Sequence, residues 1–310
     1  MYRDRHTGIV LLVESYGCWE TDHARQQELL GAGVGMLVEI ATGVQLDVAL
    51  SGDESADPLL MVCATSLSYR SWGPLAEALA ESFRLIRYDH RGIGSSERGH
   101  GSIWMASLAA DAAALLDALQ VQRAHVLGWS LGSAVAQELA LAYPNRMGAL
   151  VLWSTWAATD VYQYALMTAL RYPWATGDVT TAITAGSIAF SPEFLNSSEF
   201  WPMMRRRRPV QPQTKGQIRA TVQQWDANLA HDTADRLENV TAPTLVVAGE
   251  QDVITPPRLG QAVAELIPGA RLKLFTGPGS SHALGLERAA EFIPLVIDFF
   301  SYHALTPTDP

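Results

Sequence analysis

The feature that most constrains this chain is a repeated alternation of short apolar segments with longer amphipathic ones. Leu59–Cys63 is wholly apolar, as is typical of a strand buried on both faces of a sheet. Met105–Leu119 instead places Leu108, Leu115 and other apolar side chains on one helical stripe. Because repeated strand–helix–strand units make neighbouring strands parallel, this pattern predicts an α/β fold with a mostly parallel central sheet flanked by helices.

The strand-like segments are bounded by turn residues, and between most of them lie helical patterns. The predicted strands are Met36–Ile40, Val44–Leu50, Leu59–Cys63, Phe83–Tyr88, His125–Gly128, Ala149–Trp153, Thr244–Ala248 and Arg271–Phe275. The predicted helices are Trp72–Ala80, Met105–Leu119, Leu131–Tyr143, one that begins at Thr255 as N-cap and Pro256, and Leu286–Phe300.

The alternation stops between residues 156 and 238, where no strand pattern is present and Trp, Tyr, Met and Pro are frequent. We interpret this segment as a mostly helical insertion after the sixth strand. The domains predicted are therefore an N-terminal extension (residues 1–35), an α/β core (36–155 and 239–303), the insertion (156–238) and a tail (304–310).

The insertion contains the basic run Arg205–Arg208. One interpretation is a patch that attracts anions. The other, commoner in an acidic protein, is a solvated helix end or loop.

Composition excludes several classes of function. The net charge of −10 disfavours nucleic acid as a partner. The cysteines, Cys18 and Cys63, are too few for a disulfide scaffold or a Cys-rich zinc site, so no metal is predicted. No apolar run approaches the ~18 residues of a membrane-spanning helix, and the N-terminus does not resemble a signal peptide. We therefore expect a cytoplasmic protein without membrane contact, and the sequence leaves a homodimer open.

The strongest chemical motif is Gly128-Trp129-Ser130-Leu131-Gly132, which lies between a predicted strand and a predicted helix. In that context G-x-S-x-G predicts a sharp, strained turn that exposes the serine hydroxyl at the sheet edge. The serine also precedes a helix N-terminus, where free N–H groups stabilise a developing negative charge. Ser130 is the predicted nucleophile.

A serine nucleophile needs a base that is oriented by a carboxylate. Parallel strands place such residues in the loops after later strands. His282 follows the last predicted strand and is the predicted base. Asp252 follows the preceding strand and is the favoured acid, with Glu250 and Asp160 as alternatives. The chain order Ser, Asp, His fits this arrangement.

These motifs resemble the α/β-hydrolase superfamily over roughly residues 36–303. Tyr88–Ser96 resembles the superfamily's D-x-R-G-x-G-x-S loop, which implies a structural role for Asp89 and His90. The insertion lies where the superfamily has its helical cap. The chain most resembles small, capped, cofactor-free members such as 3-oxoadipate enol-lactone hydrolases, non-haem haloperoxidase-like esterases and polyketide methylesterases. No cofactor is therefore predicted.

The resemblance also implies an oxyanion hole, with one departure. The superfamily usually has His-Gly after its third strand, whereas this chain has Cys63-Ala64-Thr65-Ser66. The implied donors are the backbone N–H groups of Thr65 and Leu131, which tolerate changes of side chain. Cys63 is expected to be a buried small hydrophobe and not a nucleophile.

Aromatic residues near the nucleophile and in the insertion are the candidates for substrate contacts, although most such residues form core: Trp129, Trp153, Trp156, Trp174 and Trp225. A pocket lined by them would be large and apolar and would suit a lipophilic ester or lactone.

The sequence predicts a serine hydrolase that cleaves such a small-molecule substrate through an acyl-enzyme. The first alternative is elimination (lyase), acyl-transfer or cyclisation chemistry in a biosynthetic pathway on the same fold. The second alternative, from another class, is a non-catalytic receptor.

Overall fold

The computed structural model describes residues 35–305. The strands are β1 Met36–Ile40, β2 Val44–Ser51, β3 Pro58–Val62, β4 Arg84–Tyr88, β5 Ala124–Trp129, β6 Met147–Trp153, β7 Thr244–Gly249 and β8 Arg271–Phe275. The α-helices are α1 Pro74–Ala80, α2 Met105–Ala118, α3 Leu131–Ala142, α4 Val161–Thr176, α5 Val179–Gly186, α6 Pro192–Leu195, α7 Phe200–Arg207, α8 Lys215–Leu229, α9 Pro257–Leu266, α10 Leu284–Glu287 and α11 Ala289–Tyr302.

The strands form one eight-stranded sheet in the order β1-β2-β4-β3-β5-β6-β7-β8. Only the β1–β2 and β2–β4 pairs are antiparallel, and every other pair is parallel. This confirms the predicted α/β fold with a mostly parallel sheet. Because β3 and β5 to β8 are parallel neighbours, their carboxyl ends lie along one edge of the sheet.

Two apolar layers cover the sheet. Leu60, Val62, Val126 and Leu152 face the layer to which α2, α3 and α9 contribute. Leu59, Met61, Leu127 and Val151 face the other layer, which includes α1 and α11. Alternation of side chains between the two faces explains why these strands are apolar throughout.

The helices α4 to α8 follow β6 and precede β7, as expected for an insertion after the sixth strand. An antiparallel bridge between Ala158 and Asp232 joins the two ends of this segment. We call residues 156–238 the cap. The domain division itself stays a prediction, and the predicted extension and tail lie almost entirely outside the described residues.

Three helix boundaries differ from the sequence prediction. A 3₁₀ turn at Tyr69–Trp72 precedes α1, which begins only at Pro74 after Gly73, whose φ is 46°. The helix expected from Thr255 begins at Pro257, because Thr255 is hydrogen-bonded to Asp252 instead. The last predicted helix is divided into α10 and α11. Among residues 35–305, no helix has both the length and the apolar character to span a membrane.

Candidate active site

The turn between β5 and α3 holds Ser130 in a strained conformation. Its φ is 54° and its ψ is −119°, a region that costs a non-glycine residue about 1–3 kcal/mol. The turn requires glycine on either side. A Cβ on Gly132 would lie 2.0 Å from the Val62 carbonyl oxygen, and one on Gly128 would lie 2.4 Å from the Gly132 carbonyl oxygen. The G-x-S-x-G pattern therefore reflects real steric crowding between β3 and the start of α3.

The structure brings His282 and Asp252 together. Nδ1 of His282 lies 3.0 Å and 2.9 Å from the two carboxylate oxygens of Asp252, and both side chains are buried. Ser130 and His282 line the same cavity. Within residues 35–305, no hydrogen bond joins the side chains of Ser130 and His282. Such a bond often tightens only when substrate binds.

Asp252 accepts several further hydrogen bonds that the sequence did not predict. The Ile254 and Thr255 amides donate to Oδ1 at 2.9 Å and 2.8 Å, and the Ser154 and Thr255 hydroxyls donate to Oδ2 at 2.8 Å and 2.7 Å. Burial alone raises the pKa of Asp252, but the His282 charge and the His282 and Thr255 hydrogen bonds outweigh it, so this pKa lies below its ordinary value. Asp252 is therefore held as a carboxylate facing the imidazole.

The alternative acids have other partners. Asp160 accepts from the Gln163 amide as the N-cap of α4 and forms an ion pair with Arg258 at 2.6 Å. Glu250 accepts from the Gly277 amide at 2.8 Å. Neither carboxylate is hydrogen-bonded to His282 among the described residues, so the geometry favours Asp252.

The loop after β4 contacts its neighbours and not the cavity. Asp89 accepts from the Tyr69 amide at 2.6 Å and from the Ser68 hydroxyl at 3.2 Å, and it is fully buried. Nε2 of His90 lies 3.2 Å from the Cys63 carbonyl oxygen. Burial lowers the pKa of His90 to about 4, so the ring is neutral near pH 7. These contacts agree with a structural role.

The loop after β3 is attached to the cap by amide side chains. Oε1 of Gln224 accepts from the Ser66 amide at 2.7 Å, and Nδ2 of Asn228 donates to the Thr65 hydroxyl at 2.9 Å. Gln224 and Asn228 lie one helical turn apart on α8 and are buried. Neither the Thr65 N–H nor the Leu131 N–H donates to an acceptor within residues 35–305. Both groups are therefore available to a ligand.

A cavity of about 130 Å³ lies against Ser130 and His282. It is lined mainly by apolar side chains from the cap. Its remaining walls come from the turn after β5 and from the loops after β3, β7 and β8. An engineered protein cavity of about 150 Å³ holds one benzene molecule. The cavity is therefore smaller than the large pocket that the sequence predicted.

The structure divides the predicted substrate-contacting tryptophans into two groups. Trp129, Trp174 and Trp225 line the cavity. The prediction was wrong for Trp153 and Trp156, which are fully buried elsewhere. Trp153 lies beneath Trp129 with the indole rings parallel and 4.4 Å apart, and Trp156 packs against His231. These side chains are core and cannot touch a ligand in the cavity.

The Cys63 thiol offers no alternative nucleophile at this site. Burial raises the pKa of the Cys63 thiol well above its ordinary value, so the thiol is not a thiolate near pH 7. In the chain from residue 35 to 305, no group of three or more His, Cys, Asp or Glu side chains is placed to hold a metal ion.

Comparison with known proteins agrees with this geometry. A family model described as "alpha/beta hydrolase fold" matches residues 57–288. The chain is 28% identical to the "Putative carbamate hydrolase RutD" of Azorhizobium caulinodans, over 75% of this chain and 87% of the relative. It is 29% identical to the "Putative non-heme bromoperoxidase BpoC" of Mycobacterium tuberculosis, over 83% of this chain and 98% of the relative.

Among solved structures, the chain is similar to an N-acyl homoserine lactone degrading enzyme. The TM-score is 0.70 and the sequence identity 28%, over 86% of this chain and 100% of that one. The names of these relatives differ in the bond that they specify. They therefore indicate the family and leave the substrate to be inferred from the site.

Proposed function

Because this chain belongs to the α/β-hydrolase fold family, whose model matches residues 57–288, we propose that it is a serine hydrolase that cleaves a small ester or lactone through an acyl-enzyme on Ser130. The observation that carries the proposal is the hydrogen-bonded pair of His282 and Asp252, whose histidine lines the same cavity as the strained Ser130. The similar lactone-degrading structure supports the choice of bond.

In the first half-reaction, Oγ of Ser130 attacks the substrate carbonyl carbon and its proton passes to Nε2 of His282. The Asp252 carboxylate at Nδ1 fixes the imidazole tautomer and stabilises the cation that forms. The oxyanion is stabilised by the backbone N–H groups of Thr65 and Leu131. His282 then protonates the leaving oxygen as the tetrahedral intermediate collapses to the acyl-enzyme.

In the second half-reaction, water attacks the acyl carbonyl and gives a proton to His282. That proton returns to Oγ of Ser130 as the acid is released, so the enzyme regains its starting state. For a lactone, the leaving hydroxyl and the acid belong to the same product. Each N–H donor in the oxyanion hole is expected to contribute about 2.7–4 kcal/mol of transition-state stabilisation.

The test is labelling with an uncharged alkyl fluorophosphonate, followed by peptide mass spectrometry. The expected result is one adduct on Ser130 and loss of labelling in Ser130→Ala, with the circular dichroism spectrum unchanged. His282→Asn should label much more slowly, because the hydroxyl then lacks its base. A folded wild-type protein that carries no adduct on Ser130 would overturn the proposal.

A further inference from the structure

Arg207 is the last residue of α7 and lines the cavity that contains Ser130 and His282. Its neighbours in the basic run, Arg205 and Arg206, are exposed. These two explain the run as a solvated helix end, where cations are favoured by the helix dipole. Arg207 requires a separate explanation, because its side chain is only partly exposed and lines the cavity.

The Arg207 guanidinium has no carboxylate partner among the described residues. Its Nη1 donates a weak hydrogen bond to the Met203 sulfur at 3.9 Å. Burial lowers the pKa of Arg207 to about 10, so the group is still charged near pH 7. A guanidinium withdrawn from water is normally paired, because an unpaired charge in an apolar setting is costly. A ligand that carries an anion would supply the missing partner.

The described residues in the rest of the cavity wall provide no competing anion. Among them there is no Asp or Glu, and besides Arg207 their one ionisable side chain is His282. Much of the remaining lining is apolar and includes Trp174, Ile183 and Trp225. In a chain whose net charge is −10, this is a local positive site beside the nucleophile.

We propose that Arg207 is a specificity-determining residue that binds a free carboxylate of the substrate, so that the preferred substrates are short esters or lactones bearing a second, ionised carboxyl group. The inference rests on the hydrolase activity proposed above. A planar guanidinium pairs two N–H donors with the two oxygens of a carboxylate, and one guanidinium balances one negative charge. The small cavity limits the chain that joins the carboxylate to the scissile carbonyl.

The test compares monoethyl esters of malonate, succinate, glutarate and adipate with neutral ethyl esters in which a methyl ketone replaces the carboxylate. Each pair has the same chain length and nearly the same shape, so the ratio of kcat/KM within a pair reports the carboxylate alone. The chain length that gives the largest ratio measures the separation of Ser130 from the guanidinium.

The expected wild-type preference at the best chain length is about 10- to 100-fold for the carboxylate ester. Arg207→Met should remove this preference, so that kcat/KM becomes nearly equal within each pair. Arg207→Lys should restore part of it, because the charge returns without the planar fork. Arg206→Met is the matched control, since it removes the same charge from the same helix at an exposed position, and it should retain the preference.

A second readout does not depend on turnover. The succinate or glutarate monoester should protect Ser130 from the fluorophosphonate in wild type and not in Arg207→Met. Equal kcat/KM within every pair, absence of protection, or a preference that survives in Arg207→Met would each overturn the carboxylate site. Labelling of Ser130 would then still support the hydrolase, whereas absence of labelling would overturn the proposed function itself.

Discussion

Gln224 of the cap accepts a hydrogen bond from the backbone N–H of Ser66 at 2.7 Å, immediately after the proposed oxyanion donor Thr65. Ser66 has a φ of 66°, which is rare for a residue with a side chain. The cap therefore stabilises a strained conformation of the loop after β3. It lines the cavity and also contacts the loop that carries the proposed donor.

Gln224→Leu removes this acceptor while keeping a side chain of similar size. We expect kcat to fall about 10-fold with little change in KM, because a shift of Thr65 weakens binding of the transition state more than binding of the substrate. The measurement is steady-state kinetics on a short ester.

The matched control is Gln223→Leu, which removes a different hydrogen bond between cap and core, from Arg98 at 2.6 Å. It should cost some stability and leave kcat near the wild-type value. An equal fall of kcat in both variants would show that general loosening of the cap is responsible, and would contradict the specific role of Gln224.

Asp252→Asn tests the assignment of the acid. We expect kcat to fall by about 10⁴, because asparagine favours the wrong imidazole tautomer and cannot stabilise its cation. The kcat values of Asp160→Asn and Glu250→Gln should stay within about threefold of the wild-type value. The Asp160 carboxylate caps α4, and the Glu250 carboxylate binds the Gly277 amide. Asparagine is also a good N-cap, so Asp160→Asn should fold normally. A large loss of kcat in either control would reopen the choice of acid.

The succession of strands and helices along the chain, and the elements that carry the candidate site, could be predicted from the sequence, because each depends on local pattern. Buried parallel strands are continuous apolar runs, and the crowding around Ser130 requires glycine at positions 128 and 132. Asp252 and His282 could be placed because residues that follow parallel strands meet at one edge of the sheet.

The partners of these residues could not be predicted, because they depend on contacts between distant segments. Ser154 donates to Asp252 across 98 positions of sequence, and Gln224 accepts from Ser66 across 158. Trp129 and Trp153 are register partners on β5 and β6, and packing of Phe292 and Trp72 against Trp153 helps to make the latter core. The Arg205–Arg208 run likewise gave no sign that Arg207 differs from its neighbours.

Trp153→Ala should destabilise the protein by about 3–5 kcal/mol, because it leaves a large void under Trp129 and beside Phe292. Trp153→Phe keeps a ring in the stack and should cost less, with KM for a short ester unchanged. Urea unfolding measures the free energies. Trp201→Ala is the control. Because Trp201 is 41% exposed, this replacement should lower the free energy of unfolding only slightly. A KM change in Trp153→Phe without loss of stability would show that Trp153 contacts substrate after all.

Asp89 should make stability depend on pH between about 4 and 7. Burial raises the pKa of Asp89 to about 7, whereas in the unfolded chain it titrates near 3.8. In that window the folded state holds the proton more strongly than the unfolded state, so this group's contribution to the unfolding free energy falls as pH rises. Asp89→Asn is uncharged at every pH. Its unfolding free energy relative to wild type should therefore rise between pH 5 and pH 8, by on the order of 1–4 kcal/mol.

The control for this pH dependence is Asp53→Asn. Asp53 is exposed, and hydrogen bonds from the Ser55 side chain and backbone hold its pKa below the ordinary value. Asp53 is therefore ionised in both the folded and the unfolded state throughout pH 5–8. The difference in unfolding free energy between this variant and wild type should not change with pH. A flat difference for Asp89→Asn as well would mean that the buried carboxyl is already ionised at pH 5. The donors from Tyr69 and Ser68 would then outweigh the cost of burial.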